Sequence, residues 1–187
     1  MIRVVAISGS PSASSRTLRL LRHFGGWLTS DGIDVTHIDV RELPAEDLVF
    51  ARASSPALAS SFAAIASAAG IVVGTPIYKA AYSGVLKTFI DVLPPRAFAD
   101  KVVVPLMTGG TPAHALALDY ALRPVLVALG SRAVLSGLFV LDQQIGIKDE
   151  DALVLDREVE QQLTACRQGF VATLRGPVPR TSPGASR

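Results

Sequence analysis

The chain carries a single cysteine, Cys166, in 187 residues. It therefore closes no disulfide within itself and builds no cysteine-rich zinc site, and a reducing compartment, the cytoplasm, is the expected location. Charge of one sign is also lacking. Eighteen basic against sixteen acidic residues leave a formal charge of +2, and with no Lys/Arg cluster the basic footprint of a nucleic-acid binder is missing. A membrane span is lacking too. Ala53 to Tyr78 is free of charge, but Ser54, Ser55, Ser60, Ser61 and Ser67 keep it polar, and Pro56, Gly70, Gly74 and Pro76 break it into a short helix and a short strand. Met1 to Ser10 has too short an apolar run before its first turn for an export signal.

What is present is the composition of one globular domain, 49% hydrophobic and 18% charged. No internal linker or repeat divides residues 1–175, and the Pro/Gly/Ser-rich residues 176–187 read as a disordered tail. The pattern alternates between two periods. Arg3 to Ser8 is a buried strand closed by Gly9-Ser10-Pro11, and Leu18, Leu21, Phe24 and Leu28 stripe a helix from near Ser15 to Gly32. Ile33 to Val40 mixes polar and apolar residues as an edge strand does. Leu58, Phe62, Ile65 and Ala69 mark a second helix. Ile71 to Val73 is a third strand, Leu86, Phe89, Ile90 and Leu93 a third helix, and Val102 to Met107 a fourth strand. Leu118, Leu122, Val125 and Leu129 mark a helix ending at Gly130, Val134 to Val140 a fifth strand, and Val159, Leu163, Cys166, Phe170 and Leu174 a last helix. This alternation predicts an α/β fold, a doubly wound parallel sheet of five strands in the order 2-1-3-4-5 with helices on both faces.

In such a sheet ligands bind beyond the carboxyl ends of the strands, and three segments there carry unusual residues. After the first strand, Ser10, Ser12, Ser14, Ser15 and Thr17 crowd hydroxyls at the head of a helix, with Arg16 to pair an anion, which reads as a phosphate cradle. It lacks both the Walker A pattern and G-x-G-x-x-G. Asp39 stands at the end of the second strand, where an acid would meet a ribose. After the third strand, Thr75-Pro-Ile-Tyr-Lys-Ala-Ala-Tyr-Ser-Gly84 holds Tyr78, Lys79 and Tyr82 in a loop that Pro76 stiffens, suited to support a planar ring. After the fourth, Thr108, Gly109, Gly110 and Thr111 offer backbone that can approach a ring closely and donate N–H bonds to its edge. No Ser-His-Asp, Cys-His or metal-ligand spacing accompanies them. His23 and His37 read as surface residues of a helix and an edge strand.

On these stretches, together with His114 and Asp119-Tyr-Ala-Leu-Arg-Pro-Val125, residues 2–175 resemble the NAD(P)H-dependent FMN reductases of the flavodoxin-like fold. Within that family they are most similar to the small reductases that supply reduced FMN to sulfonate-cleaving monooxygenases. The resemblance implies that Ser10, Ser15, Arg16 and Thr17 hold the FMN phosphate. Pro76, Ile77, Tyr78 and Lys79 would border the isoalloxazine, and Thr108, Gly109, Gly110 and Thr111 would meet its edge. It implies NADPH, or NADH, as hydride donor, a homo-oligomer, specifically a tetramer, and a partner monooxygenase. No catalytic side chain is required, because hydride passes between the cofactors. Ser12 stands where many relatives have arginine, which leaves Arg16 as the fixed positive charge of the loop. The alternatives are a quinone, azo or chromate reductase that retains FMN, a flavodoxin-like electron carrier, which the near-neutral charge disfavours, and a nucleotide-binding regulatory module.

Tyr120 and Pro124 raise a separate expectation. Proline at 124 has no N–H for the carbonyl of Tyr120, so the helix running from about His114 to Leu129 distorts there, and a wide π turn is one way to absorb the loss. The resemblance assigns to that tyrosine a widened turn beside the flavin that keeps FMN exchangeable, and the apolar side of this helix reads as an interface.

Overall fold

In the computed structural model, which describes residues 1–131, 133–148 and 152–176, the β-branched runs form the sheet and the 3.6-period stripes cover it. Strand β1 (Arg3–Ser8) pairs in parallel with β2 (Asp34–Asp39) on one side and β3 (Gly70–Tyr78) on the other, and β3 pairs in parallel with β5 (Val102–Gly109). Beyond β5, the short β6 (Ala133–Val134) and β7 (Leu138–Leu141) pair with its two halves. This is the expected 2-1-3-4-5 order, with the polar second strand at the edge.

Side chains alternate across the sheet. Val5, Ile7, Ile71, Val73 and Val103 face a core shared with Ile65 of α3 (Ala59–Ser67) and Leu86 and Phe89 of α4 (Gly84–Val92), joined by Leu126 of α5 (Arg123–Ala128). Val4, Ala6, Val72 and Val104 face a second core with Leu21 and Phe24 of α1 (Arg16–Ser30) and Leu163 and Phe170 of α6 (Arg157–Arg175). The two cores make the fold doubly wound, and a short helix α2 (Ala45–Val49), capped by Pro44, lies between β2 and α3 in the chain. The span 53–78 becomes a 3-10 turn, α3 and β3, and no helix among the described residues is long and apolar enough to cross a membrane. Residues 177–187, the expected tail, lie outside the described residues.

Three expectations are corrected. The fifth strand is not continuous: Leu135–Gly137 separate β6 from β7. Pro105 of β5 offers no N–H at that level, and Gly137 bends at φ +72°, so close to the carbonyl oxygen of Pro105 that a Cβ would stand 2.2 Å from it. The segment after Val73 is not a loop but the continuation of β3, which turns back through β4 (Ala81–Tyr82) as a hairpin with Tyr78 opposite Ala81 and Ile77 opposite Tyr82. Likewise Thr108 and Gly109 are the last residues of β5. Besides α2, the antiparallel pair of β8 (Ile145–Lys148) and β9 (Ala152–Leu155) had no sequence reading. On α6, burial pushes the Cys166 thiol up to about 11, so it stays neutral and unreactive at physiological pH.

Candidate active site

At the carboxyl end of the sheet the first two of the three segments, after β1 and after Val73, are bolted together. The Gly9 N–H donates to the Gly74 carbonyl at 2.8 Å. The Ser83 hydroxyl, wholly buried, caps α4 by accepting from the Leu86 N–H at 3.0 Å and donates to the Gly9 carbonyl. Thr75 Oγ1 accepts the Ser83 N–H at 3.0 Å, so the first loop, the β3–β4 hairpin and the head of α4 move as one body. Gly9 has to be glycine here, since a Cβ would lie 2.5 Å from Leu86 Cβ.

Over this platform lies a cavity of about 230 Å³, lined on one side by Ser10, Ser12, Ser14, Ser15, Arg16 and Thr17 and on the other by Pro76, Ile77, Tyr78, Thr108, Gly109 and Asp142. Its hydroxyls are held in place by local bonds. Ser15 Oγ accepts the Leu18 N–H at 3.1 Å as the cap of α1, Ser10 Oγ accepts the Ser12 N–H at 3.3 Å, and the Ser12 and Ser14 hydroxyls lie 3.3 Å apart. A serine that accepts still has its own proton to give, so Ser10 and Ser15 keep donors for a ligand anion at a helix head that carries partial positive charge. Arg16 is exposed beside them. Burial, the largest influence, holds the Tyr82 phenol above its ordinary value, which leaves it a neutral packing residue of the hairpin.

Of the residues singled out from the sequence, Ser10, Ser15, Arg16, Thr17, Pro76, Ile77, Tyr78, Thr108 and Gly109 meet at this cavity. Lys79, Gly110, Thr111, His114 and Tyr120 do not line it. Lys79 is the first residue of the hairpin turn, in the left-handed region at φ +51°, and Ala80 follows at φ +62°. Thr111 caps a 3-10 turn, Pro112–His114, in which His114 is half-buried. Asp39 turns to Arg41 at 3.5 Å instead of to the cavity. His37 is exposed and His23 only half so, with its ring 4.5 Å from that of Trp27. Asp142 was missed. It opens the 3-10 turn directly after β7, so the rule that pointed to the ends of the first, third and fourth strands would have found it if applied to the fifth.

The segment 114–129 is not one regular helix. A π turn, Leu118–Leu122, precedes α5, and the Arg123 N–H donates five residues back to the Leu118 carbonyl. The wide turn expected ahead of Pro124 is present. It packs against β4, and Tyr120 stands 78% exposed on it, with Leu116 and Val127 exposed nearby at 64% and 54%. Chemically, the cavity suits a ligand with an anionic group for the hydroxyl-rich side and a flat ring for the Pro76–Tyr78 and Thr108–Gly109 side. Its volume falls short of the roughly 300–1,000 Å³ of sites that enclose such ligands whole.

Residues 2–146 match the family model described as NADPH-dependent FMN reductase. An FMN reductase (NADPH) of Pseudomonas putida is 44% identical over 183 residues, covering 97% of this chain and 92% of its own. One from Escherichia coli is 47% identical over 144 residues, covering 77% and 75%. Among solved structures, the apo form of the NADH:FMN oxidoreductase EMOB superposes with a TM-score of 0.86 at 38% identity, covering 97% of this chain and 94% of that one.

Proposed function

The chain belongs to the NADPH-dependent FMN reductase family, an NAD(P)H-dependent FMN oxidoreductase, and we propose that it treats FMN as a substrate, releasing reduced FMN to a flavin-dependent monooxygenase that cleaves sulfonates. The observation that carries this reading is the exposed π turn beside the β3–β4 hairpin. A widened turn packed against the hairpin that carries Ile77 and Tyr78 is a helix irregularity of the kind frequent at functional sites, and it supports a ligand that exchanges.

The residues fit FMN by the chemistry of their donors. Ser10, Ser15 and Thr17, the head of α1 and Arg16 supply hydroxyls and positive charge for its phosphate. Pro76, Ile77 and Tyr78 supply a flat apolar border, and the backbone at Thr108 and Gly109 supplies donors for the ring edge, with Gly110 and Thr111 continuing beyond the cavity and Lys79 in the hairpin turn next to Tyr78. Bound FMN would supply the hydride acceptor for NADPH, so the chain's task is to align two rings and exclude water. The cavity is too small to do the second alone, which supports a homo-oligomer in which the exposed Leu116, Tyr120 and Val127 meet a neighbouring copy, with the tetramer resting on the family resemblance. The single cysteine supports operation in the reducing cytoplasm.

The test is anaerobic turnover of a large molar excess of free FMN with NADPH, followed by bleaching of the flavin. Complete bleaching with catalytic protein supports FMN as substrate. Bleaching that stops at one equivalent per subunit would show a retained cofactor.

A further inference from the structure

Asp142 is the one carboxylate among the described residues that line the cavity. Its turn is set by the Leu141 N–H, which donates to Gln144 Oε1 at 3.1 Å. The carboxylate is directed toward the backbone that follows β5, since a Cβ placed on Gly110 would stand 3.8 Å from Asp142 Oδ2. Strand β7, which delivers it, lies beside β5 on the side away from β3 and β1. A negative charge is a cost in a site that takes a phosphate ester, so its presence there calls for a reason.

The geometry points to Asp142 as the residue that discriminates between the two redox forms of FMN, weakening the hold on the reduced form so that product leaves. This rests on the FMN reading of the cavity. Backbone at the end of β5, where Gly109 lines the cavity, would donate only to the acceptor-bearing pyrimidine edge of an isoalloxazine, because its dimethylbenzene edge has no acceptor. The oxidised ring is neutral. Hydride addition without a compensating proton leaves the reduced ring negative near neutral pH, with that charge on the pyrimidine side. A fixed carboxylate at this edge therefore repels the product and spares the substrate, an influence of charge on flavin energetics exerted through space.

The experiment measures dissociation constants of the flavin-free protein for oxidised FMN and, anaerobically, for dithionite-reduced FMN, in the wild type, Asp142→Asn and Asp142→Glu. Asp142→Asn should tighten reduced FMN about tenfold relative to oxidised FMN, equivalent to about 30 mV for a two-electron couple, while Asp142→Glu keeps the wild-type ratio. An unchanged ratio in Asp142→Asn, or equal tightening of both forms as from a carboxylate facing the phosphate, would overturn the role of Asp142 alone. Failure of the wild type to bind oxidised FMN would overturn the reading of the cavity and this inference with it.

Discussion

The hydroxyls of Thr17 and Thr108, 91 positions apart in the chain, lie 2.7 Å from one another in the buried seam between the head of α1 and the end of β5. The bond fixes the hydroxyl-rich side of the cavity against its ring side, so the distance between a ligand's phosphate and its ring is built into the fold. Thr17→Val removes one partner and strands the other, which should cost about 1–3 kcal/mol of stability. The pair variant Thr17→Val/Thr108→Val should recover part of it. Urea unfolding midpoints of Thr17→Val, Thr108→Val and the pair variant decide; additive losses would show that the two hydroxyls act independently.

Gly9→Ala tests the platform beneath. Its Cβ would meet the backbone-proximal Leu86 Cβ at 2.5 Å, an atom that moves only with α4. Destabilisation of about 1–3 kcal/mol should follow, as for other overpacked cores. A thermal midpoint equal to wild type would mean that α4 shifts freely and that the loop and hairpin are not one body.

Arg16→Ala should weaken FMN binding by about 1.5 kcal/mol, the low end for a charge-assisted hydrogen bond, because the side chain is exposed. Fluorescence titration of FMN against the flavin-free protein measures it. An unchanged affinity would assign phosphate binding to the hydroxyls and helix head without Arg16.

Stability should fall in mild acid through two histidines. Burial holds His23 below its ordinary value, partly offset by Glu160; His37, though exposed as a residue, has its ring packed against Gly25 of α1, and this partial desolvation, with the nearby Arg22, lowers it too. Their folded forms resist protonation more than the unfolded chain, so the contribution is whole above the unfolded value of about 6.5 and is lost as pH falls through the lower folded values. His23→Gln/His37→Gln should flatten the stability profile between about pH 7 and pH 5. A slope equal to wild type would place the acid sensitivity elsewhere.

The sheet order, both cores and most of the cavity were legible because apolar runs and helical stripes depend on local spacing. The single fifth strand was not. Its interruption depends on Pro105, a residue of the neighbouring strand, and no reading confined to Val134–Val140 contains that information. The extension of β3 through Pro76 was hidden for the opposite reason: Gly74 and Pro76 signal a turn locally, but pairing with Leu106 and Thr108 of β5 carries the strand through. The wide turn before Pro124 was legible because its cause, a missing N–H, lies within the helix itself.

Tyr120 tests what that turn is for. Tyr120→Ala should retain more FMN through gel filtration than wild type, and sedimentation should show whether the exposed Leu116, Tyr120 and Val127 face joins copies of the chain. Equal weak retention in both proteins would leave Tyr120 without a part in exchange, and a wild-type monomer at micromolar concentration would remove the tetramer.

The most direct measurement of the central claim is NADPH oxidation by the purified, flavin-free protein, with and without added FMN. Negligible oxidation is expected without FMN, and a rate that rises with FMN to saturation, with all the flavin separating from protein on gel filtration. A full rate without added FMN, carried by flavin that co-elutes with the protein, would contradict it.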